Sequence, residues 1–183
     1  MFERLLAELS SRGVEIIEPA ADPELDAYEA ATTATPEFFF DILAWELRWP
    51  LRAMSETRPD AVSAGVRGYI ERAEQLSVGD YGAALARRDR LRAQHRALAG
   101  RVDAFITLAH IGPGQKGHPP VGTPWYNDAS SAIGAPTLNL PILAVESVPL
   151  GAQLMGFENA DADLMSVARW LLEACGSPTV GPG

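Results

Sequence analysis

Two pairs of adjacent serines and a single lysine are the residues that could supply nucleophilic chemistry in this chain. The serine pairs are Ser10–Ser11 and Ser130–Ser131, and Lys116 is the only lysine among 183 residues. A serine hydroxyl is a weak nucleophile and forms an acyl-enzyme only with an adjacent base. Neither pair lies in a glycine-lined loop whose backbone N–H groups could stabilise an oxyanion. We therefore predict no catalytic residue in this sequence.

The three histidines, His95, His110 and His118, are the residues best able to bind a transition metal. A zinc site needs three or four converging ligands, and no glutamate or cysteine stands at metal-ligand spacing from these histidines. Ordinary hydrogen-bonding roles are favoured, so no metal and no cofactor are expected.

The segment most suited to ligand contacts is the long loop over residues 109–125. It follows residues 102–108, the most strand-like run of the chain, and loops carry binding residues more often than the strands that hold them. A short helical turn over Asn-Asp-Ser-Ser comes next. Two short apolar runs, residues 137–140 and 151–156, then follow between glycines and prolines, as is typical of buried strands.

Apolar spacing and capping residues predict the elements of the first third of the chain. A helical stripe over residues 2–9 precedes a short strand over Val14–Ile17. Asp22–Pro23 and Thr35–Pro36 each combine an N-cap with a first-turn proline and should open a helix. The second of these helices is rich in aromatic residues from Phe38 to Trp49, and Pro50 should kink or end it. Those aromatics face either the core or a surface that another part of the protein covers.

Three further helices are predicted after residue 59. The first spans residues 60–76. Ser77 and Asp80 form a capping-box pattern that starts a long helix through Leu98, and Asp161 is expected to cap the last helix. The long helix is rich in arginine, which is typical of a solvated or ion-paired face and, in the alternative, of a nucleic-acid surface.

The charge of the chain bears on its partners. The net charge is −9 and the pI is about 4.8, which disfavours nucleic acid and anionic membranes. Cys175 is the only cysteine, so no internal disulfide can form and a cytoplasmic location is expected. No apolar stretch approaches 18 residues, so no transmembrane helix and no membrane partner are expected.

Several motifs recur in the order and spacing seen in the C-terminal part of amidase-signature enzymes, which this chain resembles. They are Gly122-Thr123, Tyr126-Asn127, Gly134-Ala135-Pro136 and the strand from Pro149 to Gly156. The resemblance extends over nearly the whole chain but covers only the second half of such an enzyme. It implies small amides as substrates. It also implies that four residues line the acyl or leaving-group side of the pocket if a catalytic half is supplied: Thr123, Trp125, Tyr126 and Asn127. Alternatively, Trp125 and Tyr126 only attach the loop to the core.

The family's catalytic groups, two serines and a lysine, belong to its glycine- and serine-rich N-terminal core. This sequence has no Gly-Gly-Ser-Ser-Gly run. Lys116 also precedes only one serine pair, whereas the family's lysine precedes both catalytic serines. The chain alone is therefore expected not to hydrolyse amides.

The element order predicts an α/β or α+β unit with about four short strands covered by several helices. The resemblance places the strands in a mixed sheet with at least one open edge. We expect one domain over residues 1–175 and a flexible tail over residues 176–183. The function is predicted to be the substrate-pocket part of an amide hydrolase or, in the alternative, a non-catalytic binding or assembly module. The expected partners are accordingly an N-terminal amidase half or a second copy of the chain.

Overall fold

A three-stranded antiparallel sheet separates two groups of helices. The computed structural model describes residues 1–112, 125–146 and 148–176. Its strands are β1 (Phe105–Leu108), β2 (Thr137–Val145) and β3 (Val148–Met155). The strand order is β1-β3-β2, and β3 is antiparallel to both neighbours.

The described residues also form seven α-helices and two short 3₁₀ turns, Pro19–Ala21 and Pro59–Ala61. The helices are α1 (Phe2–Ser11), α2 (Pro23–Thr33), α3 (Pro36–Thr57), α4 (Ala64–Gln75), α5 (Val78–Ala97), α6 (Trp125–Ile133) and α7 (Asp161–Cys175). No helix in the described ranges is both long enough and apolar enough to cross a membrane. Except for Gly176, the expected tail lies outside the described residues.

Two of the predicted helix caps are confirmed. The Asp22 carboxylate accepts hydrogen bonds from the backbone N–H groups of Glu24 and Leu25 at 2.9 and 3.1 Å. Ser77 and Asp80 form the reciprocal capping box that starts α5. These contacts satisfy N–H groups that have no partner inside the helix, which is why such caps can be identified from local sequence.

Two other helix ends differ from the prediction. Thr35 does not cap α3 with its side chain; it is fully buried, and its hydroxyl lies 3.5 Å from the Ala31 carbonyl. The last helix begins at Asp161, with Ala160 in the cap position and no side-chain cap. Of the predicted kink or end at Pro50, the end does not occur, because α3 continues to Thr57. Packing of α3 against α4 and α5 offsets the hydrogen bond that the proline removes.

The expectation of about four strands in a mixed sheet was too high by one strand, and the sheet is antiparallel throughout the described residues. Val14–Ile17 was predicted as the additional strand but belongs to no strand. Its alternating pattern is real, because Val14 and Ile16 pack against the first core while Glu15 and Ile17 are exposed. The segment lacks a neighbouring strand, so apolar alternation alone does not make it part of the sheet.

Alternate residues of the strands face two separate cores. The first core joins the sheet to α1 and α7 and includes Leu140, Leu150, Ala152 and Leu154. The second core lies among α2, α3, α5 and α6, and Phe105 and Met155 pack against it. This separation follows from the period of two in a strand, which sends successive side chains to opposite faces.

The aromatic helix α3 is buried at one end and exposed towards the other. Phe38 is buried in the second core. Further along the helix, Leu47, Trp49 and Met54 are exposed, with Trp49 at 64%. The Arg48 guanidinium lies 3.7 Å from the centre of the Trp45 ring, a cation–π geometry that orders this surface.

Candidate functional site

A row of polar side chains crosses the sheet on the face opposite the first core. Thr107 of β1 and Asn139 of β2 are both paired in register with Gln153 of β3. Side chains directly opposite one another in an antiparallel pair lie about 5 Å apart. We call Thr107, Gln153 and Asn139 the polar row.

Gln153 connects the polar row to α6. Its Nε2 group donates a hydrogen bond to Asn127 Oδ1 at 3.0 Å. Gln153 is only 4% exposed, whereas Asn127 is exposed. The contact therefore joins a buried carboxamide of the sheet to an accessible carboxamide in the first turn of α6.

The other end of the Gln153 amide has no hydrogen-bond partner among the described residues. Its Oε1 atom is buried, and no donor lies within hydrogen-bond distance among the described residues. Buried polar atoms are paired in the great majority of cases, and an unpaired one costs about 1–3 kcal/mol. A buried acceptor of this kind needs an explanation other than apolar packing.

The Asn139 side chain lies close to the backbone of β3 at Gly151. A Cβ atom at Gly151 would lie 1.7 Å from Asn139 Oδ1 and 2.9 Å from Ala109 Cβ. No other residue type has room there, so Gly151 is what lets the Asn139 side chain lie against β3.

Helix α6, which carries Asn127, is anchored at its C-terminal end. Ala132 and Ile133 are buried in the second core. Gly134 ends the helix with a φ of 73°, a left-handed conformation that glycine adopts without strain. Arg92 Nε on α5 donates to the Ile133 carbonyl at 3.1 Å and thereby satisfies a terminal acceptor.

Asp128 follows Asn127 in α6 and is nearly buried, with 6% exposure. Burial raises the pKa of this carboxyl above its ordinary value. The position near the N-terminus of a helix is favourable for a carboxylate. Burial and the helix N-terminus therefore act on the charge of this carboxyl in opposite directions.

A second feature is an open groove of about 480 Å³ beside the C-terminal end of α6. Its volume is in the range of small-molecule sites. Most of its lining is polar: Ser130, Ser131, Gly134, Ala135, Pro136, Thr137, Glu158, Asn159 and Asp161. Asn127, the one predicted substrate-binding residue whose side chain is described, does not line it.

Of those four residues, only Asn127 has a described side chain. Thr123 lies outside the described residues, and for Trp125 and Tyr126 only their place in α6 is described. Asn127 lies beside the polar row, and the pocket-lining role of all four stays a prediction. Sequence reasoning missed Gln153, Thr107 and Asn139. The signal was available in Gln153, a polar residue at a strand position whose neighbours Ala152 and Leu154 are apolar.

The serines and histidines make structural hydrogen bonds in the described ranges. Ser130 Oγ donates to the Asn127 carbonyl at 3.0 Å, and Ser11 Oγ donates to the Glu8 carbonyl at 2.7 Å. His110 Nδ1 lies 3.0 Å from the Gly112 carbonyl. Lys116 and His118 lie outside the described residues. No group of three metal-ligating side chains converges in the part of the chain that the structure describes.

His95 is buried in the second core and links three elements. Its Nε2 atom lies 3.0 Å from the Gly156 carbonyl, and its Nδ1 atom lies 2.8 Å from the Tyr28 hydroxyl. A carbonyl only accepts, so Nε2 carries the proton and Nδ1 accepts from Tyr28. Burial lowers the pKa of His95 below its ordinary value, which the hydrogen bond to Gly156 partly opposes.

Solved structures resemble this arrangement over most of the chain. An amidase matches 96% of this chain at 26% identity with a TM-score of 0.77. A bacterial aryl acylamidase of the amidase signature family matches 78% at 13% identity with a TM-score of 0.63. The peptide amidase from Stenotrophomonas maltophilia matches 95% at 14% identity with a TM-score of 0.58. No family model matches the sequence, and no curated protein matches it.

The matches cover 41%, 34% and 43% of those three proteins, so this chain spans about two fifths of their length. The chain has the fold of the C-terminal part of an amidase-signature enzyme. This agrees with the order of the glycine, proline and asparagine motifs in the sequence.

Proposed function

We propose that this chain forms the substrate-pocket part of an amide hydrolase acting on small amides, and that by itself it binds such amides without cleaving them. The observation that carries the proposal is the pairing of exposed Asn127 with buried Gln153 beside an unsatisfied buried acceptor. Carboxamides held in a fixed orientation at the edge of an apolar scaffold are suited to small ligands that make a few hydrogen bonds.

The fold supports the same proposal. The amidase with a TM-score of 0.77 matches nearly all of this chain, while most of that enzyme has no counterpart here. The hydrogen bond of Ser130 is also consistent with binding alone, because its hydroxyl donates to a backbone carbonyl rather than to a base.

The test is a titration of the ¹⁵N-labelled chain with benzamide and hexanamide, followed by NMR, together with an amide-hydrolysis assay. We expect saturable shifts of the side-chain amide signals of Asn127 and Gln153 and no turnover. The Asn127→Ala variant should lose the shifts. The Gln94→Ala variant removes an exposed carboxamide on α5 and should keep them.

Two results would contradict this function. Absence of saturable shifts with every amide would refute the pocket role and would favour the non-catalytic assembly module. Turnover that a serine-directed fluorophosphonate abolishes would refute the claim that the chain alone is inactive.

A further inference from the structure

We infer that Gln153 fixes the hydrogen-bond polarity of the site, so that Asn127 presents N–H donors outward and the site recognises the carbonyl oxygen of a neutral ligand. Gln153 is thus a positioning residue that acts through Asn127. The inference rests on the proposed function for the identity of the ligand as an amide.

The orientation of the Gln153 amide follows from its surroundings. In the observed orientation, Nε2 bonds Asn127 and the buried Oε1 has no donor among the described residues. The reversed orientation would place an NH₂ group with two donors at that buried position. Unpaired buried N–H groups are rarer than under-satisfied carbonyl oxygens, so the observed orientation is favoured.

The orientation of Asn127 then follows from Gln153. Asn127 Oδ1 accepts the bond from Gln153, so the two N–H donors on Nδ2 point away from the sheet. No described residue accepts a hydrogen bond from Nδ2 in the structure, and the residue is exposed. The accessible part of this side chain therefore offers donors.

Charge distinguishes between the ligand acceptors that could bind those donors. A carboxylate and a neutral carbonyl both accept hydrogen bonds. The whole chain carries a net charge of −9, which disfavours an anionic ligand. A neutral carbonyl, such as that of an amide, is the favoured partner.

Two neutral aryl probes with opposite polarity test the inference. N,N-dimethylbenzamide has a carbonyl acceptor and no N–H group, whereas indole has one N–H donor and no comparable acceptor. The unmodified chain should bind the benzamide more tightly than indole. The ratio of the two dissociation constants, measured by NMR titration, is the readout.

Asn127→Asp replaces the outward donors with acceptors while the bond from Gln153 is kept. We expect benzamide binding to weaken about tenfold and indole binding to stay the same or tighten. Gln94→Glu introduces the same charge on an exposed part of α5 and should leave the ratio within twofold.

Gln153→Met removes the anchor without adding charge and fills a similar volume. Asn127 can then rotate, so the preference for the benzamide should fall several-fold while the ¹⁵N spectrum remains that of a folded chain. Asn127→Asp lies on the surface and keeps the test decisive if the core variant does not fold.

Each outcome has a distinct meaning. Tighter benzamide binding in the unmodified chain, reversed by Asn127→Asp and diminished by Gln153→Met, supports the inference. Binding of both probes with a ratio that neither variant changes overturns the inference and leaves the proposed function intact. Absence of any amide binding overturns both.

Discussion

The two faces of β3 differ in what they bury. On one face, Leu150, Ala152 and Leu154 are at most 5% exposed and pack into the first core beneath α1 and α7. On the other face, Gly151 lies against a polar side chain and Gln153 bonds to Asn127. Alternate residues of one strand therefore pack into an apolar core on one side and form polar contacts on the other.

The two faces differ in what their buried side chains contribute to the free energy of folding. Burial of apolar area is favourable at roughly 25 cal/mol per Å², so each leucine on the first face contributes directly to folding. A buried carboxamide with an unpaired oxygen makes no such contribution. We infer that a carboxamide is present at Gln153 because it orients Asn127, which lies at the surface.

The largest loss of stability is expected from a substitution on the apolar face of β3. Leu154 is 1% exposed, so Leu154→Ala should create a cavity and lower the free energy of unfolding by about 2–5 kcal/mol. The measurement is urea denaturation followed by circular dichroism. Met165→Ala, which truncates a side chain that is 58% exposed on α7, is the control and should change stability by less than about 0.5 kcal/mol. Equal effects of the two variants would show that this face is not a core.

A smaller effect is expected at Gly151, where the polar face approaches the backbone. Gly151→Ala places a Cβ atom against Asn139 Oδ1 and should lower the free energy of unfolding by about 1–3 kcal/mol. Adding Asn139→Ala should recover part of the loss, because the nearest clash is with that side chain; the contact with Ala109 remains. A double-mutant cycle gives the coupling. Strictly additive effects would contradict the proposed contact.

The smallest effect is expected in the pH dependence of stability. It comes from His95, which lies in the second core and contacts the Gly156 carbonyl just after β3. Burial lowers the pKa of His95, so the unfolded chain binds a proton more readily than the folded chain. The stability from neutral His95 is fully present above its ordinary pKa of 6.5 and is lost as pH falls below that value.

His95→Gln should reduce this dependence between pH 7 and 5, measured as the slope of thermal stability against pH. His110→Gln, which changes a half-buried loop histidine with no core contacts of this kind, is the matched control. An unchanged slope in His95→Gln would show that another group titrates in this window. Asp22 and Asp80, whose pKa values hydrogen bonds lower, affect stability only at more acidic pH.

Sequence reasoning succeeded where a feature depends on neighbours along the chain. The Asp22 cap and the Ser77–Asp80 capping box were predicted because each satisfies backbone groups only two or three residues away. It failed for Val14–Ile17, whose alternation is that of a strand, because strand formation requires a second backbone that the pattern does not specify.

The candidate site shows the same limit. Asn127 could be predicted from the aromatic-asparagine motif, but its partner Gln153 lies 26 residues further along the chain. Thr107 joins the polar row only because β1 and β2 both pair with β3 in one register. Gln153 by itself reads as one polar residue in an apolar strand.

The sequence by itself determined the helix caps at Asp22 and Ser77 and the apolar runs in which β1, β2 and β3 form. These depend on backbone geometry and local hydrogen bonding, which neighbouring residues supply. Only the tertiary structure decided that α6 meets the sheet at Gln153, that Oε1 of this residue is buried without a partner in the described chain, and that Asn127 turns its donors outward. Such contacts join residues distant in sequence, and a side chain's hydrogen-bond direction is set by what surrounds it in space.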